Sequence, residues 1–287
     1  DFRRPPPAAR PEGRPMLYEF RYLSPRTLPD LLATLAEHAA DGQVLAGGTD
    51  LLPNIRNGIR KPAFVIDSKL YPGAADLRWS ESEGLHIGPA ATISDVMRNK
   101  TARELFPTLC ACAHELASHQ VRNRATVAGN VVNASPCSDM APALLCLGAR
   151  AIVERAGGDR RELAFAGFFA GVKKTVLRPG EYLSGIVVPA SAAKAKGRYL
   201  KLKRIAGHDL GIVGVLMTEK DGVLRFGVSS AAPTPVLVET VARKDGPEEA
   251  VRKVLASVSP IDDVRSTKAY REHMIGVYVR RLLEEVR

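Results

Sequence analysis

Long hydrophobic runs and cysteines are both scarce in this chain of 287 residues. Its longest apolar stretches, such as residues 210–217, fall far short of the roughly 20 residues that a membrane-spanning helix requires. Four cysteines in a chain of this length do not make a disulfide framework, which favours a reducing compartment. We therefore expect a cytoplasmic protein without a membrane span.

Several signatures of common enzyme classes are missing as well. The sequence contains neither the glycine fingerprint of a Rossmann unit nor the phosphate loop of nucleoside triphosphatases, and it has no serine nucleophile elbow. Its six histidines show no paired spacing typical of a zinc site. The sequence therefore disfavours hydrolases, and we expect no metal site in this chain.

Aromatic residues make up only 6% of the chain, and its Lys and Arg residues are scattered although the net charge is +10. Nucleic-acid-binding proteins typically cluster their basic residues, so we expect no nucleic-acid partner. A basic nucleic-acid-binding or scaffold module without a cofactor stays as one alternative. The basic excess also suits the phosphates of a cofactor or an acidic partner surface.

The hydrophobic pattern predicts an α/β start after a proline-rich leader. Residues 1–15 hold five prolines and four arginines, and we expect them to form a disordered leader. From Met16 strands and helices alternate, and Thr27 is placed to cap the first helix. The predicted elements are strands at 17–23, 43–46, 63–67, 85–88, 149–154 and 182–188, helices at 28–40, 51–57 and 140–147, and one helix through Leu105, Leu109, Cys112 and Leu116.

After residue 190 the pattern changes to strands that follow one another directly. Residues 190–197 are small residues and lysines and are predicted to form a linker. A tight turn at Asp221 and Gly222 should join two of the strands. The predicted elements are strands at 198–204, 211–218 and 223–229 and helices at 247–256 and 267–286. We predict one domain at 16–190, divided into subdomains at about residue 70, and a C-terminal domain at 191–287.

The first loop that carries chemistry lies between an apolar strand and a helix. It reads Ala46, Gly47, Gly48, Thr49, Asp50 and Leu51. Glycines let a backbone approach phosphates closely, and successive N–H groups at a helix start can donate to an anion. A diphosphate would fit there. A plain reversal of the chain is the alternative reading of such a glycine turn.

The second loop, residues 122–139, is rich in short polar side chains between apolar runs. Thr126, Asn130 and Ser135 can donate hydrogen bonds to phosphate or ribityl oxygens, and Asp139 can accept from sugar hydroxyls. Local turn chemistry is the alternative for all four, with Asp139 as the cap of the helix that follows. For Asp139 both roles can coexist.

Together the two loops resemble those of the FAD-binding medium subunit of the xanthine dehydrogenase and carbon monoxide dehydrogenase family, the molybdenum hydroxylases. The resembling segments are VLAGGTDLLPNIRN at 44–57 and, more specifically, QVRNRATVAGNVVNASPCSDMAP at 120–142. Residues 180–189 and 198–213 resemble the strand and hairpin that begin the family's C-terminal domain. The resemblance covers nearly the whole chain from Met16.

The resemblance implies a mixed α/β and α+β fold. An FAD-binding domain of the vanillyl-alcohol-oxidase type, with FAD between two subdomains, would precede a smaller C-terminal domain of sheet and helices. Residues 46–51 would hold the diphosphate through backbone N–H groups. Thr126, Gly129, Asn130, Ser135 and Asp139 would complete the cofactor site. Leu183 would pack on the adenine and Lys201 would lie near the flavin.

The resemblance also implies partners and a role. The chain would be an oxidoreductase subunit that receives electrons from two-iron two-sulfur clusters of a small subunit, while a large subunit holds molybdopterin and the substrate. It would pass the electrons to NAD or another acceptor, and none of its side chains need be a catalytic acid or base. The alternative is an autonomous FAD-dependent oxidoreductase of the same fold.

The second loop is shorter than in one relative, and the difference bears on whether this chain holds an iron–sulfur cluster. The flavin subunit of hydroxybenzoyl-CoA reductase carries a cysteine-rich insertion for a further iron–sulfur cluster within the second loop. Here Asn133 runs on to Asp139 without an insertion. We therefore predict no iron–sulfur cluster in this chain.

Overall fold

The computed structural model describes residues 18–286, apart from the side chains of residues 240–242. The predicted leader, residues 1–15, lies outside the described residues. Within them, sheets of three, five and four strands follow one another along the chain, together with a two-stranded hairpin. No helix in this part of the chain is both long and apolar enough to cross a membrane. The mixed architecture predicted from the sequence is confirmed.

The N-terminal sheet is parallel and has the strand order β1-β3-β2. Its elements are β1 (Arg21–Leu23), α1 (Leu28–Glu37), β2 (Gly42–Leu45), α2 (Leu51–Arg56) and β3 (Phe64–Asp67). Parallel strands need crossover connections, which the two helices supply. As predicted, Thr27 caps α1, because its Oγ1 accepts a hydrogen bond from Asp30 N at 3.2 Å. The carboxyl end of β2 therefore leads straight into the first loop.

The middle sheet is antiparallel and has the order β4-β5-β10-β6-β7. Its strands and the separate hairpin β8–β9 are β4 (Leu77–Ser80), β5 (Gly84–Ile87), β6 (Arg150–Glu154), β7 (Arg160–Ala164), β8 (Phe169–Gly171), β9 (Lys174–Thr175) and β10 (Tyr182–Pro189). The expectation that residues 180–189 begin the C-terminal domain is wrong. The strand β10 is buried along most of its length between β5 and β6, as a central strand of this sheet.

Six helices accompany the middle sheet. They are α3 (Ile93–Arg98), α4 (Lys100–Leu105), α5 (Pro107–Glu115), α6 (His119–Arg122), α7 (Val127–Val132) and α8 (Met140–Cys146). The single helix predicted through residues 105–116 is wrong, because Pro107 splits it into α4 and α5. Proline disfavours a helical conformation at the residue before it, and Phe106 has φ −132° and ψ 57°.

The C-terminal sheet is an antiparallel succession of neighbouring strands covered by two helices. Its elements are β11 (Lys196–Leu202), β12 (Val213–Lys220), β13 (Val223–Ser229), β14 (Val236–Ala242), α9 (Gly246–Ala256) and α10 (Lys268–Glu285). The predicted tight turn joins β12 to β13, with φ 51° at Asp221 and 75° at Gly222. On α10, Ile275, Tyr278 and Leu282 are buried in the same core as the sheet.

The linker predicted at 190–197 is largely packed structure instead. Residues Ala190–Ala192 form one turn of 3-10 helix, Ala192 and Ala195 are buried, and β11 already begins at Lys196. Small alanine side chains are compatible with a flexible linker and with close packing, and here they pack against the core around the middle sheet. The two neighbouring sheets are therefore joined by a short, ordered connection.

Helix α8 lies between the middle and C-terminal sheets, and all seven of its residues are buried. A β-carbon at Gly227 of β13 would lie only 2.7 Å from the carbonyl oxygen of Pro142, so the strand and the helix touch backbone to backbone. This contact fixes the end of the second loop, which leads directly into α8, against the C-terminal sheet.

A buried charge links helix α10 to two connecting segments of the C-terminal domain. Arg271 is 1% exposed, and its guanidinium donates to the Ser230 carbonyl at 2.8 Å and to Asp263 Oδ1 at 2.7 Å. Burial alone would raise the pKa of Asp263, but the Arg265 and Arg271 guanidiniums outweigh burial and hold that pKa below its usual value. The ion pair therefore contributes stability above the ordinary Asp pKa and loses that contribution as the pH falls.

We expect Asp263→Asn to lower the free energy of unfolding by about 2–4 kcal/mol at pH 7, because Arg271 would keep a buried charge without its counterion. Urea denaturation measures this change. The difference from the unsubstituted protein should shrink as the pH falls well below 4, where the carboxyl itself becomes protonated. Glu272→Gln, at an exposed ion pair of 3.8 Å, is the control and should change stability by less than about 0.5 kcal/mol. Equal stability of both variants would contradict this assignment.

Candidate functional site

The first loop presents a row of open backbone N–H groups. It follows β2 and enters α2, where Leu52 N donates to Gly48 O at 3.1 Å and Asn54 N donates to Asp50 O at 3.1 Å. Within the described residues, the N–H groups of residues 47–50 have no acceptor. Gly48 has φ +75°, a conformation that glycine adopts without strain. Asp50 precedes α2 but makes no side-chain cap.

The two predicted loops meet at Gly47. A β-carbon at this position would lie 2.1 Å from the carbonyl oxygen of Arg124 and 2.9 Å from the Cα of Ala125. Real side chains do not approach a backbone that closely, so only glycine fits without moving one of the loops. The structure thus brings the N-terminal sheet's loop into direct contact with the start of the second loop.

Three backbone and cap contacts hold the start of the second loop in place. Ile93 N donates to Ala125 O at 2.9 Å, and Val127 N donates to Ala91 O at 3.2 Å. Thr126 is the N-cap of α7, and its Oγ1 accepts a hydrogen bond from Gly129 N at 2.9 Å. Thr126 is buried, whereas Gly129 is exposed. The threonine therefore performs the turn chemistry named as its alternative role, and its hydroxyl hydrogen can still donate.

Asn130 folds the rest of the second loop onto itself. Its Oδ1 accepts hydrogen bonds from Ser138 Oγ at 2.6 Å and from Met140 N at 3.4 Å. Ser135 Oγ accepts from Cys137 N at 3.2 Å, and Ala134 adopts φ +45°. The amide nitrogen of Asn130 has no partner within the described residues, so this side chain can organise the loop and still donate to a ligand.

Asp139 is held by the C-terminal sheet rather than by the helix that it precedes. The Nζ of Lys201 on β11 lies 2.8 Å from Asp139 Oδ1, and the hydroxyl of Tyr199 donates to that oxygen at 3.1 Å. The alternative role named for Asp139, a side-chain cap of α8, is wrong, because the carboxylate accepts from these two donors instead. The Lys201 ammonium is also bonded to the Glu115 carbonyl at 3.0 Å.

This ion pair is almost completely removed from solvent, since the Lys201 and Asp139 side chains are 3% and 9% exposed. Burial raises the pKa of Asp139, and the Lys201 ammonium opposes that rise. Burial likewise raises the pKa of Tyr199 well above its usual value, so the phenol stays protonated and donates. Sequence reasoning missed Tyr199. The alternation along β11, which places Tyr199 and Lys201 on one face, was the signal that could have found it.

Leu183 lies in the core around the middle sheet, which also contains Val127 and Val131 of the second loop. It pairs with Val153 of β6 and is 2% exposed. Its side chain therefore has little surface left for a ligand. The contact with adenine assigned to it stays a prediction, as do the roles of the other predicted site residues.

Comparison with known protein families gives two matches, one after the other along the chain. Residues 18–191 match the family described as "FAD binding domain in molybdopterin dehydrogenase", and residues 222–286 match the one described as "CO dehydrogenase flavoprotein C-terminal domain". The first match alone spans more than half of the chain.

Among characterised relatives, the carbon monoxide dehydrogenase medium chain of Hydrogenophaga pseudoflava is 28% identical and is aligned over 92% of this chain and 96% of its own. The xanthine dehydrogenase FAD-binding subunit of Escherichia coli is 26% identical, with 90% and 93% of the two chains covered. A solved carbon monoxide dehydrogenase from H. pseudoflava contains a chain with a TM-score of 0.86, 29% identity and coverage of 94% and 98%. The likeness thus extends through all three sheets.

We expect Lys201→Met to destabilise the protein by about 3–5 kcal/mol at pH 8, because Asp139 would be left as an uncompensated buried carboxylate. Folding would then raise the pKa of Asp139 further, so the folded chain would hold a proton that the unfolded chain releases. Stability of the variant should accordingly fall as the pH rises above the ordinary Asp pKa. Thermal unfolding between pH 5 and 8 measures the difference.

Two further variants test whether the buried Asp139 carboxylate causes the loss of stability. Lys201→Met combined with Asp139→Asn should recover part of the loss at pH 8, since no buried charge remains. Lys174→Met removes an exposed lysine and should leave unfolding nearly unchanged at every pH. A Lys201→Met variant whose loss does not depend on pH would contradict the buried-carboxylate explanation.

Proposed function

Because the chain belongs to the family of FAD-binding domains of molybdopterin dehydrogenases, we propose that it relays electrons within a multi-subunit molybdenum hydroxylase. The chain is an FAD-binding medium subunit of this oxidoreductase class. The observation that carries the proposal is the contact of the two loops at Gly47. The first loop contributes backbone N–H groups without an acceptor, and the second contributes polar side chains held in place by hydrogen bonds.

The residues of the two loops fit FAD. A dinucleotide carries a diphosphate, which needs donors close to the backbone, and residues 46–51 supply N–H groups at a position where a β-carbon cannot enter. We assign the remaining contacts to Thr126, Gly129, Asn130, Ser135 and Asp139, with Leu183 toward the adenine and Lys201 toward the flavin. When bound, the isoalloxazine ring supplies the redox chemistry, because it can accept electrons singly and pass them on.

The chain's own share of this function is binding, orientation and electrostatics. Gly47 and Arg124 fix the spacing of the two loops, and Asn130 keeps the second loop folded. The buried Lys201 ammonium places a positive charge next to Asp139 at the border between the middle and C-terminal sheets. These groups would orient the cofactor without transferring protons to the substrate.

The partners follow from the assemblies to which the relatives belong. The relatives are called medium chains or FAD-binding subunits, and the solved H. pseudoflava enzyme is described as lacking the Mo-pyranopterin moiety of its molybdenum cofactor. We assign this chain a large molybdopterin-binding subunit, on which substrate reacts, and a small subunit with two-iron two-sulfur clusters. Electrons would pass from those clusters to this subunit and on to NAD or another acceptor.

Purification of the chain with its partners tests this function. We expect FAD at one molecule per chain, a flavin absorption band that bleaches when the complex receives its substrate, and no turnover by this chain alone. Folded protein without flavin in the complete complex would refute the proposal. Substrate oxidation by the isolated chain, without molybdenum or iron, would instead establish an autonomous flavin enzyme.

Gly47→Ala should weaken FAD binding by about tenfold or more, equivalent to at least about 1.4 kcal/mol. The added methyl group would overlap the Arg124 carbonyl and force the two loops apart. Titration of flavin-depleted protein with FAD measures the dissociation constant. Gly167→Ala is the matched control, because a β-carbon there has no atom within 4 Å and the backbone needs no positive φ. Equal FAD affinity of both variants would show that the loops do not hold the cofactor together.

A further inference from the structure

One ion pair joins all three strands of the N-terminal sheet. Asp67 ends β3, and its carboxylate accepts a hydrogen bond from the Tyr22 hydroxyl of β1 at 2.5 Å. The Lys69 ammonium lies 2.7 Å from Asp67 Oδ1 and 3.4 Å from the carbonyl oxygen of Leu45, the last residue of β2. We call Tyr22, Asp67 and Lys69 the strand-end cluster. It lies at the edge where the first loop leaves the sheet.

The register of the parallel strands explains why these side chains meet. Tyr22 pairs with Val65, and Leu45 pairs with Asp67. Residues two apart on a strand point to the same face, so Asp67 shares a face with Val65 and comes within reach of the tyrosine on the neighbouring strand. The Lys69 N–H also donates to Asp67 Oδ1 at 2.9 Å, which turns the chain and keeps the lysine at the end of the sheet.

The charges of the strand-end cluster are removed from most of the solvent. Asp67 is 5% exposed and the Lys69 side chain 26%. Burial raises the pKa of Asp67, but hydrogen bonds from Lys69 and Tyr22 outweigh burial and hold that pKa below its usual value. A buried ion pair often adds no more to stability than apolar side chains of similar volume. Fold stabilisation alone therefore does not explain charges at this place.

The cluster reaches the first loop through the carbonyl of Leu45, which directly precedes it. Ser68 donates to this carbonyl through its N–H at 3.1 Å and its hydroxyl at 3.4 Å, and Lys69 Nζ is the third donor. Because the peptide bond is planar, the direction of the carbonyl also fixes the direction of the Ala46 N–H in the same peptide. Within the described residues that N–H has no acceptor, and it is the first of the open donors in the loop.

We propose that Lys69, anchored by Asp67, is a positioning residue for the diphosphate of FAD, an inference that rests on the function proposed above. It acts through the peptide between residues 45 and 46. The contact with Arg124 fixes the loop at Gly47, and the strand-end cluster fixes it at its beginning. The N–H groups of the loop are thus held in place before the cofactor arrives, and such preorganisation favours affinity.

Lys69→Met tests this role in the full chain. The variant removes a charged donor to the Leu45 carbonyl, and we expect the dissociation constant of FAD to rise by about three- to tenfold, because the loop is held less firmly. The phosphorus NMR resonances of bound FAD should shift, since the N–H groups around the diphosphate change direction, while the flavin absorption band keeps its position. Titration of flavin-depleted protein and NMR at saturating FAD measure the two effects.

Lys69→Arg keeps the charge and the donors, so it should recover most of the affinity and the original resonances. Arg243→Met is the matched control. Arg243 also pairs with a carboxylate, Glu219 at 2.6 Å, and donates to a backbone carbonyl, that of Leu283 at 3.1 Å, but within the C-terminal domain. This variant should lower the stability of the chain and leave the FAD dissociation constant and the phosphorus resonances unchanged. It thus separates lost stability from lost loop position.

Tyr22→Phe covers the case in which Lys69→Met does not fold, because it removes one hydroxyl and keeps both charges. It should shift the phosphorus resonances in the same direction, with a smaller rise of the dissociation constant. Unchanged affinity and resonances in the variant that folds would overturn the proposal. Weaker FAD binding with unchanged resonances, or no recovery in Lys69→Arg, would overturn it as well. Failure of the unsubstituted chain to bind FAD would refute the proposed function separately.

Discussion

The close approach of the Gly47 backbone to the Arg124 carbonyl determines the geometry of the whole site. It joins a loop at the carboxyl end of a parallel strand to a loop that begins a helix beside the antiparallel sheet. Brought together, the two loops set open N–H groups of residues 47–50 beside the polar second loop, and a dinucleotide needs such a pairing of close backbone and short polar side chains.

The C-terminal domain contributes to the same site through the buried Asp139 and Lys201 pair. An ion pair removed from water is costly unless its remaining hydrogen bonds are satisfied. Here Tyr199 donates to the carboxylate and the Glu115 carbonyl accepts from the ammonium. Gly227 of β13 touches helix α8. This contact and the ion pair together hold the end of the second loop against the C-terminal sheet. The position of the loop therefore depends on all three sheets.

Sequence reasoning recovered the parts of this fold that local chemistry specifies. The helix behind Thr27, the turn at Asp221 and both loops carry strong periodicity or turn residues, and they lie where expected. The edge strand β7 was not predicted, because its residues are mostly charged and exposed. The partner of Asp139 could not be derived from spacing, since Lys201 lies 62 residues away and only the tertiary structure brings them together. The resemblance to a family, and not periodicity, pointed to Lys201.

Hydrogen–deuterium exchange of flavin-depleted protein, measured with and without added FAD, tests most directly whether the two loops form one cradle. If they do, the amides of residues 47–51 and of residues 126–130 become protected together and at the same FAD concentration. Protection confined to one of these segments, or to neither, would contradict the account.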